Sequence, residues 1–161
     1  PSMPPPAHPR TRHRSSPGRS PVNGIVGTSE GGIAERRLGW CGDFVETCIR
    51  LALSEEPFPG PLGQNPYWAL NWRHLGVATP PTFGAICQTE RDGGGHVFFL
   101  IGEDSASWYA LGGNQANSVS RARISKSRKL AGCRWPATFP ARPIALPRLT
   151  PGDIALSTNE A

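Results

Sequence analysis

Between Trp40 and Leu53 apolar residues recur at helical spacing. Cys41, Phe44, Val45, Cys48, Leu51 and Ala52 form one stripe, with Asp43, Glu46, Thr47 and Arg50 on the other side. Glu46 and Arg50 stand at the supportive i,i+4 separation. Gly39 and Gly42 flank Cys41, which puts that cysteine in the first turn. A breaker-rich stretch follows over 57–63. Asn65 then caps a second helix that starts at Pro66, runs through Tyr67, Trp68, Leu70, Trp72 and Leu75, and stops at Gly76. Past Pro80-Pro81 the pattern becomes that of strands. Residues 83–88 read as a strand, 91–95 as a flexible glycine loop, and 96–102, 108–113, 119–124 and 128–135 as further strands. Helices come first and an antiparallel sheet second, so the chain is expected to be α+β.

The pair 96–102 and 108–113 carries a register. If its turn centres on Ser105, opposite neighbours on one face are His96/Asn114, Phe98/Gly112, Leu100/Ala110 and Gly102/Trp108. Each apolar pair on that face then sets a large side chain against a small one, as a covered face prefers. The other face carries Val97/Gly113, Phe99/Leu111 and Ile101/Tyr109. A slip of one residue would send Asn114 to the opposite face from His96.

Composition narrows the class. The 161 residues include 19 Gly and 18 Pro, with 37% apolar and 18% charged residues, which excludes a long coiled coil and a highly charged disordered chain. No apolar run approaches the ~18 residues of a membrane-spanning helix, so membrane insertion is not expected. The net charge of +5 is uneven. Residues 1–22 hold Arg10, Arg12, Arg14 and Arg19 and no acid, leaving 13 of the 17 basic residues against all 12 acidic ones. The expected organisation is a disordered Pro/Arg-rich arm over 1–22, a folded block over 23–136 and a Pro-rich extension over 137–161. An Arg-rich arm also raises nucleic-acid binding as a weaker possibility. Cys41, Cys48, Cys87 and Cys133 are too few for a disulfide scaffold and form no CxxC pair, so no zinc site or other cofactor is expected.

A cysteine at a helix start, with a histidine and an opposed carboxamide, supports thiol chemistry. The helix N-terminus favours a thiolate at Cys41, His96 can accept and return a proton, and the Asn114 amide can fix the imidazole's orientation. The competing reading makes His96 a surface or core filler at a strand end.

Trp40-Cys41-Gly-Asp-Phe44-Val45, Gly95-His96-Val97, Leu111-Gly-Gly-Asn114-Gln115 and Arg134-Trp135-Pro136 occur in that order. Together they resemble a phage- and prophage-associated branch of the CHAP-type cysteine, histidine-dependent amidohydrolases/peptidases, relatives of the NlpC-type cell-wall peptidases. The likeness spans 38–136. It implies a papain-like core with N-terminal helices on an antiparallel sheet, and cleavage of amide bonds in bacterial peptidoglycan without a metal. Carried over, Cys41 is the nucleophile, His96 the base and acid, and Asn114 the orienting third member. The stretch before Trp40, with Gly27, Gly31 and Gly32, is short and glycine-rich for this family. Residues 1–22 lack the apolar core of a secretory leader, which suits a monomer made in the cytoplasm and released to the wall by a holin or by injection.

Around this triad, Gly42 and the Cys41 peptide are the natural oxyanion donors, and Gln115 is a further candidate. Trp40, Trp68 and Trp72 could line a substrate groove, although core packing accounts for two of the three. Asp43 is expected on the solvated helix face. A required free thiol at Cys41 leaves three other cysteines, which favours reduced chemistry. The alternative function is a non-catalytic wall- or partner-binding module that keeps the fold around a disabled site.

Overall fold

The computed structural model describes residues 39–140, 144–152, 154 and 156–157. The expected arm over 1–22 and the glycines Gly27, Gly31 and Gly32 lie outside the described residues. The first helix, α1, spans Cys41–Ala52, and a single helical turn, α2, spans Pro61–Gln64. A 3-10 helix covers Ala69–His74. Six strands follow: β1 (Val77–Ala78), β2 (Ile86–Arg91), β3 (Gly94–Glu103), β4 (Ser107–Gln115), β5 (Ser118–Ser125) and β6 (Leu130–Trp135). They form one antiparallel sheet in the order β1-β6-β2-β3-β4-β5, so the architecture is α+β.

The sheet has two apolar faces. On one, Cys41, Val45 and Ile49 of α1 pack with Trp72, Leu75, Ile86 and Val97. Phe44 meets Phe99 edge-on across this layer, ring centroids 6.1 Å apart. On the other, Cys87, Phe98, Leu100, Ala110, Ile124 and Cys133 form a second cluster, with Trp108, Leu130, Trp135 and Leu146 against it. Strand alternation assigns the faces, since successive side chains of β3 point to opposite sides. The buried stripe of α1 differs in detail from the expected one. Ile49 is buried whereas Leu51 is 83% exposed, so the helix turns its last residues away from the sheet.

The expected helix from Pro66 is a turn followed by the 3-10 helix. Side chains take two carbonyls that an α-helix there would use: the Trp72 indole N–H donates to Pro66 O and the Asn71 amide donates to Asn65 O, the same amide also reaching Pro61 O in α2. The Asn65 side chain does accept the Trp68 N–H. The flexible loop expected over 91–95 is instead a tight hairpin. Arg91 pairs with Gly94 around Asp92-Gly93, and Gly93 has φ +78°. An Asp-Gly pair flanked by strand residues is a hairpin turn signal.

Cys87 and Cys133 face each other on β2 and β6, with Cα atoms 4.1 Å apart, and are joined by a disulfide. This corrects the expectation of four reduced thiols. Only Cys41 and Cys48 are free. Described residues of the Pro-rich stretch after β6 run along the sheet. Ile144 bridges Phe83, Arg148 bridges Glu103 and Leu156 bridges Arg123. Buried Glu56 holds its start by accepting the N–H groups of Ala137 and Thr138. No described helix is long and apolar enough to cross a membrane.

Candidate active site

The start of α1 is fixed by close packing. The Trp40 ring lies against Gly113, and its indole N–H donates to Asn117 Oδ1 at 3.4 Å. Gly42 is pressed onto the carbonyls of Pro66 and Tyr67, where a Cβ would collide with backbone. Together these contacts seat Cys41 against the sheet at 3% exposure.

The sulfur meets β3 where that strand parts from β4. Cross-strand pairing of β3 with β4 begins at Phe99↔Leu111, so the 94–98 half of β3 pairs with β2 alone. The peptide N–H groups of Val97, Gly42 and Cys41 and the charge of Arg91 favour a thiolate at Cys41, yet burial outweighs them and pushes the thiol up. This corrects the expectation that the helix start leaves the thiol activated. The donors are present, but the sulfur has lost its water.

His96 is 1% exposed. Its ring stacks on Phe98 with centroids 5.6 Å apart, which places it on the sheet face of the second cluster. Burial, reinforced by the charges of Arg91 and Arg128, pushes its pKa down from 6.5 to about 3, so the imidazole is neutral at physiological pH. Neither ring nitrogen has a hydrogen-bond partner among the described residues. Thiol and imidazole therefore approach the His96–Val97 peptide from different sides without bonding each other.

The expected register holds at Phe99↔Leu111 and Leu100↔Ala110. It slips by one toward the turn, where Gly102 pairs with Tyr109 and Glu103 with Trp108 across a bulge at Ile101. The cause is Asp104. Its carboxylate accepts the N–H groups of Ala106 and Ser107, the Tyr109 hydroxyl and an Arg123 guanidinium N–H, which tightens the turn. Burial opposes ionisation of that carboxyl, but these donors hold it below its usual range.

At the other end of the hairpin the expected His96/Asn114 pair is not made. Asn114 has φ +59°, and β4–β5 pairing shifts between Gly112 and Gln115. The Asn114 amide nitrogen lies beside Gly39 at the start of α1 and is buried without a partner. Gln115 instead shares the Gly112 side of β4 with the imidazole, and its Nε2 donates to the Ser120 carbonyl. A Cβ built on Gly112 would meet Gln115 Nε2 at 2.6 Å and His96 Nε2 at 3.1 Å. Gln115 is thus no oxyanion donor beside the sulfur; its amide stands over Gly112 on the His96 face. The signal in the sequence was the run Asn114-Gln-Ala-Asn117. Asparagine tolerates left-handed backbone, and Asn114, Ala116 and Asn117 all adopt it.

The remaining candidates separate by exposure. Trp72 is wholly buried in the core, Trp40 is half-buried against Gly113 and Trp68 is exposed beside Gly94. Asp43 is exposed, as expected of the solvated helix face. The Arg91 and Arg128 charges at the imidazole were not singled out from the sequence. Arg91 ends β2 at the tight 91–94 hairpin and Arg128 lies in the turn between β5 and β6. Searches against protein-family models, curated proteins and solved structures find no match to this chain.

Proposed function

We propose that this chain is a thiol amidohydrolase acting on bacterial peptidoglycan, at the bond between muramic acid and L-alanine or at a peptide bond of the stem or cross-bridge. The single observation that carries the reading is the placement of Cys41. It is the first residue of an amphipathic helix, its sulfur faces three peptide N–H groups, and it adjoins the strand that carries His96. A papain-like core, with phage or prophage origin, is the wider frame suggested by the ordered motifs from Trp40 to Pro136.

In the reaction sulfur attacks the carbonyl carbon as the Cys41 proton passes, relayed by water, to the imidazole, since the two groups share no hydrogen bond. The oxyanion so formed is held by peptide N–H groups at the start of α1. Collapse breaks the C–N bond, and the amine leaves with the proton returned by His96. Water then adds to the thioester, delivers a proton to the imidazole and releases the free acid with the thiol restored. Both groups start neutral, so the proton moves with the attack and not before it.

Loss of turbidity of permeabilised Gram-negative cells tests the reading. Wild type should clear them, and Cys41→Ser and His96→Ala should not. Equal clearing by all three would remove the thiol mechanism. The second reading, a wall-binding module with a disabled site, is favoured by one observation. Cys41 and His96 are 3% and 1% exposed and share no hydrogen bond. It predicts retention on sacculi without release of fragments.

A further inference from the structure

The register of β2 sets a cation beside His96. Thr89 pairs with His96 on one side and with Leu130 on the other, so the three form one row across β6, β2 and β3. Their side chains share the sheet face of the second cluster, where Leu130 packs and the imidazole stacks on Phe98. Two residues further along β2 stands Arg91, paired with Gly94. Residues i and i+2 of a strand share a face, about 6.6 Å apart along it. Arg91 therefore leaves β2 on the His96 face, one row nearer the end of the strand, opposite a glycine that puts no side chain over it. Glu90 leaves on the other face, and Asp92 sits at the exposed tip of the hairpin.

Arg128 comes to the same end of the row from β6. It lies two residues before Leu130, in the turn after β5, where its N–H donates to the Ser125 carbonyl at 2.9 Å. In the antiparallel β2–β6 pair that is the direction in which β2 advances to Arg91. From 105 to 152 the chain holds eight basic residues and no acidic one, so this turn is positive. Arg91 is exposed and Arg128 half-buried, whereas His96 behind them is 1% exposed. Both charges bear on the imidazole, and that of Arg91 bears on the Cys41 sulfur as well. A guanidinium suits a planar anion, because its fork meets a carboxylate in two parallel hydrogen bonds.

We propose that Arg91 and Arg128 form a subsite for a carboxylate of the substrate, so that the chain acts on acidic wall peptides, those with a free carboxylate beside the amide bond to be cut. The peptide rests on the hydrolase reading; the anion rests on the strand register. A carboxylate held at this rim offsets the two positive charges at the imidazole, which helps the ring accept the proton that leaves Cys41.

Two stem-peptide substrates that differ in one group test the assignment: a γ-linked D-glutamate with its α-carboxylate either free or amidated. Wild type should cleave the free acid with a kcat/KM higher by about ten-fold, the worth of one hydrogen bond to a charged group. Arg91→Gln and Arg128→Gln should each reduce that preference. Equal rates on acid and amide by wild type would overturn the subsite, as would a preference that survives in the double variant. Should these variants fail to fold, the wild-type preference decides, and it must shrink as salt is raised. Binding of the same peptides to Cys41→Ser, followed by NMR, separates the two readings. Tighter binding of the acid that depends on the arginines, with no cleavage of either peptide by wild type, would condemn the hydrolase reading and leave the anion subsite in place. Cleavage of both peptides without discrimination would do the reverse.

Discussion

The imidazole of His96 is stacked on the ring of Phe98, centroids 5.6 Å apart and planes 23° from parallel. That contact commits the histidine to the sheet face away from α1. The next residue, Val97, turns its side chain toward α1 and its peptide N–H toward the Cys41 sulfur. The two groups of the candidate site therefore meet β3 at adjacent residues and from different faces.

Burial of His96 makes stability depend on pH. Its pKa is about 3 in the folded protein against 6.5 as the usual value. Between these limits the unfolded chain binds a proton that the native chain refuses. Stability is then full above pH 6.5 and falls as pH drops toward 3, by up to about 1.4 kcal/mol per unit. Urea unfolding of wild type across this range should show the loss, and His96→Phe should flatten it. Parallel slopes for both proteins would mean that the imidazole is charged in the fold.

Cys41 should be a slow thiol. Burial raises it above the ordinary cysteine value of 9.0, so the thiolate fraction at pH 7 is below that of a free cysteine. In a Cys48→Ser background, iodoacetamide should label Cys41 slowly at pH 7 and faster with each unit of pH through 9. A fast rate that is flat from pH 6 upward would reveal a preformed thiolate.

Gly95 can be tested sterically. A Cβ there would meet the Thr89 carbonyl and Leu70 Cδ2, each at 2.7 Å, and the carbonyl cannot swing aside as a side chain can. Gly95→Ala should cost about 1–3 kcal/mol, seen as a Tm lowered by several degrees. An unchanged Tm would mean that β2 and β3 can separate here freely.

The disulfide predicts a count. Denatured without reductant, the protein should take up alkylating agent at Cys41 and Cys48 only, and after reduction at Cys87 and Cys133 as well. Replacing both paired cysteines by Ala should lower stability by about 2–4 kcal/mol, since the bond closes a loop of 46 residues. Uptake at all four sites before reduction would contradict the pairing.

Much of this architecture was legible in local patterns. The stripe from Cys41 to Cys48 located α1, and alternation placed the cores of β3, β4, β5 and β6 to within two residues. The pairs Phe99↔Leu111 and Leu100↔Ala110 follow from matching large against small side chains. The rest depended on contacts between residues far apart in the chain. Nothing near Cys87 tells that β6 crosses to lie beside β2 and bring Cys133 to it. The side-chain bonds that convert the Pro66 helix into a 3-10 turn come from Asn71 and Trp72 folding back on it. The turn of Gln115 onto the Gly112 side follows from the left-handed Asn114, which strand alternation alone does not foresee.

The proposal as a whole turns on whether the Cys41 sulfur breaks amide bonds of the wall. Purified sacculi incubated with the protein and analysed by mass spectrometry of the soluble fragments address this directly. The thiol mechanism predicts fragments with newly freed amines and carboxylates at one kind of amide bond, and none from Cys41→Ser. Release of the same fragments by Cys41→Ser, or no release by the wild-type chain, would contradict it.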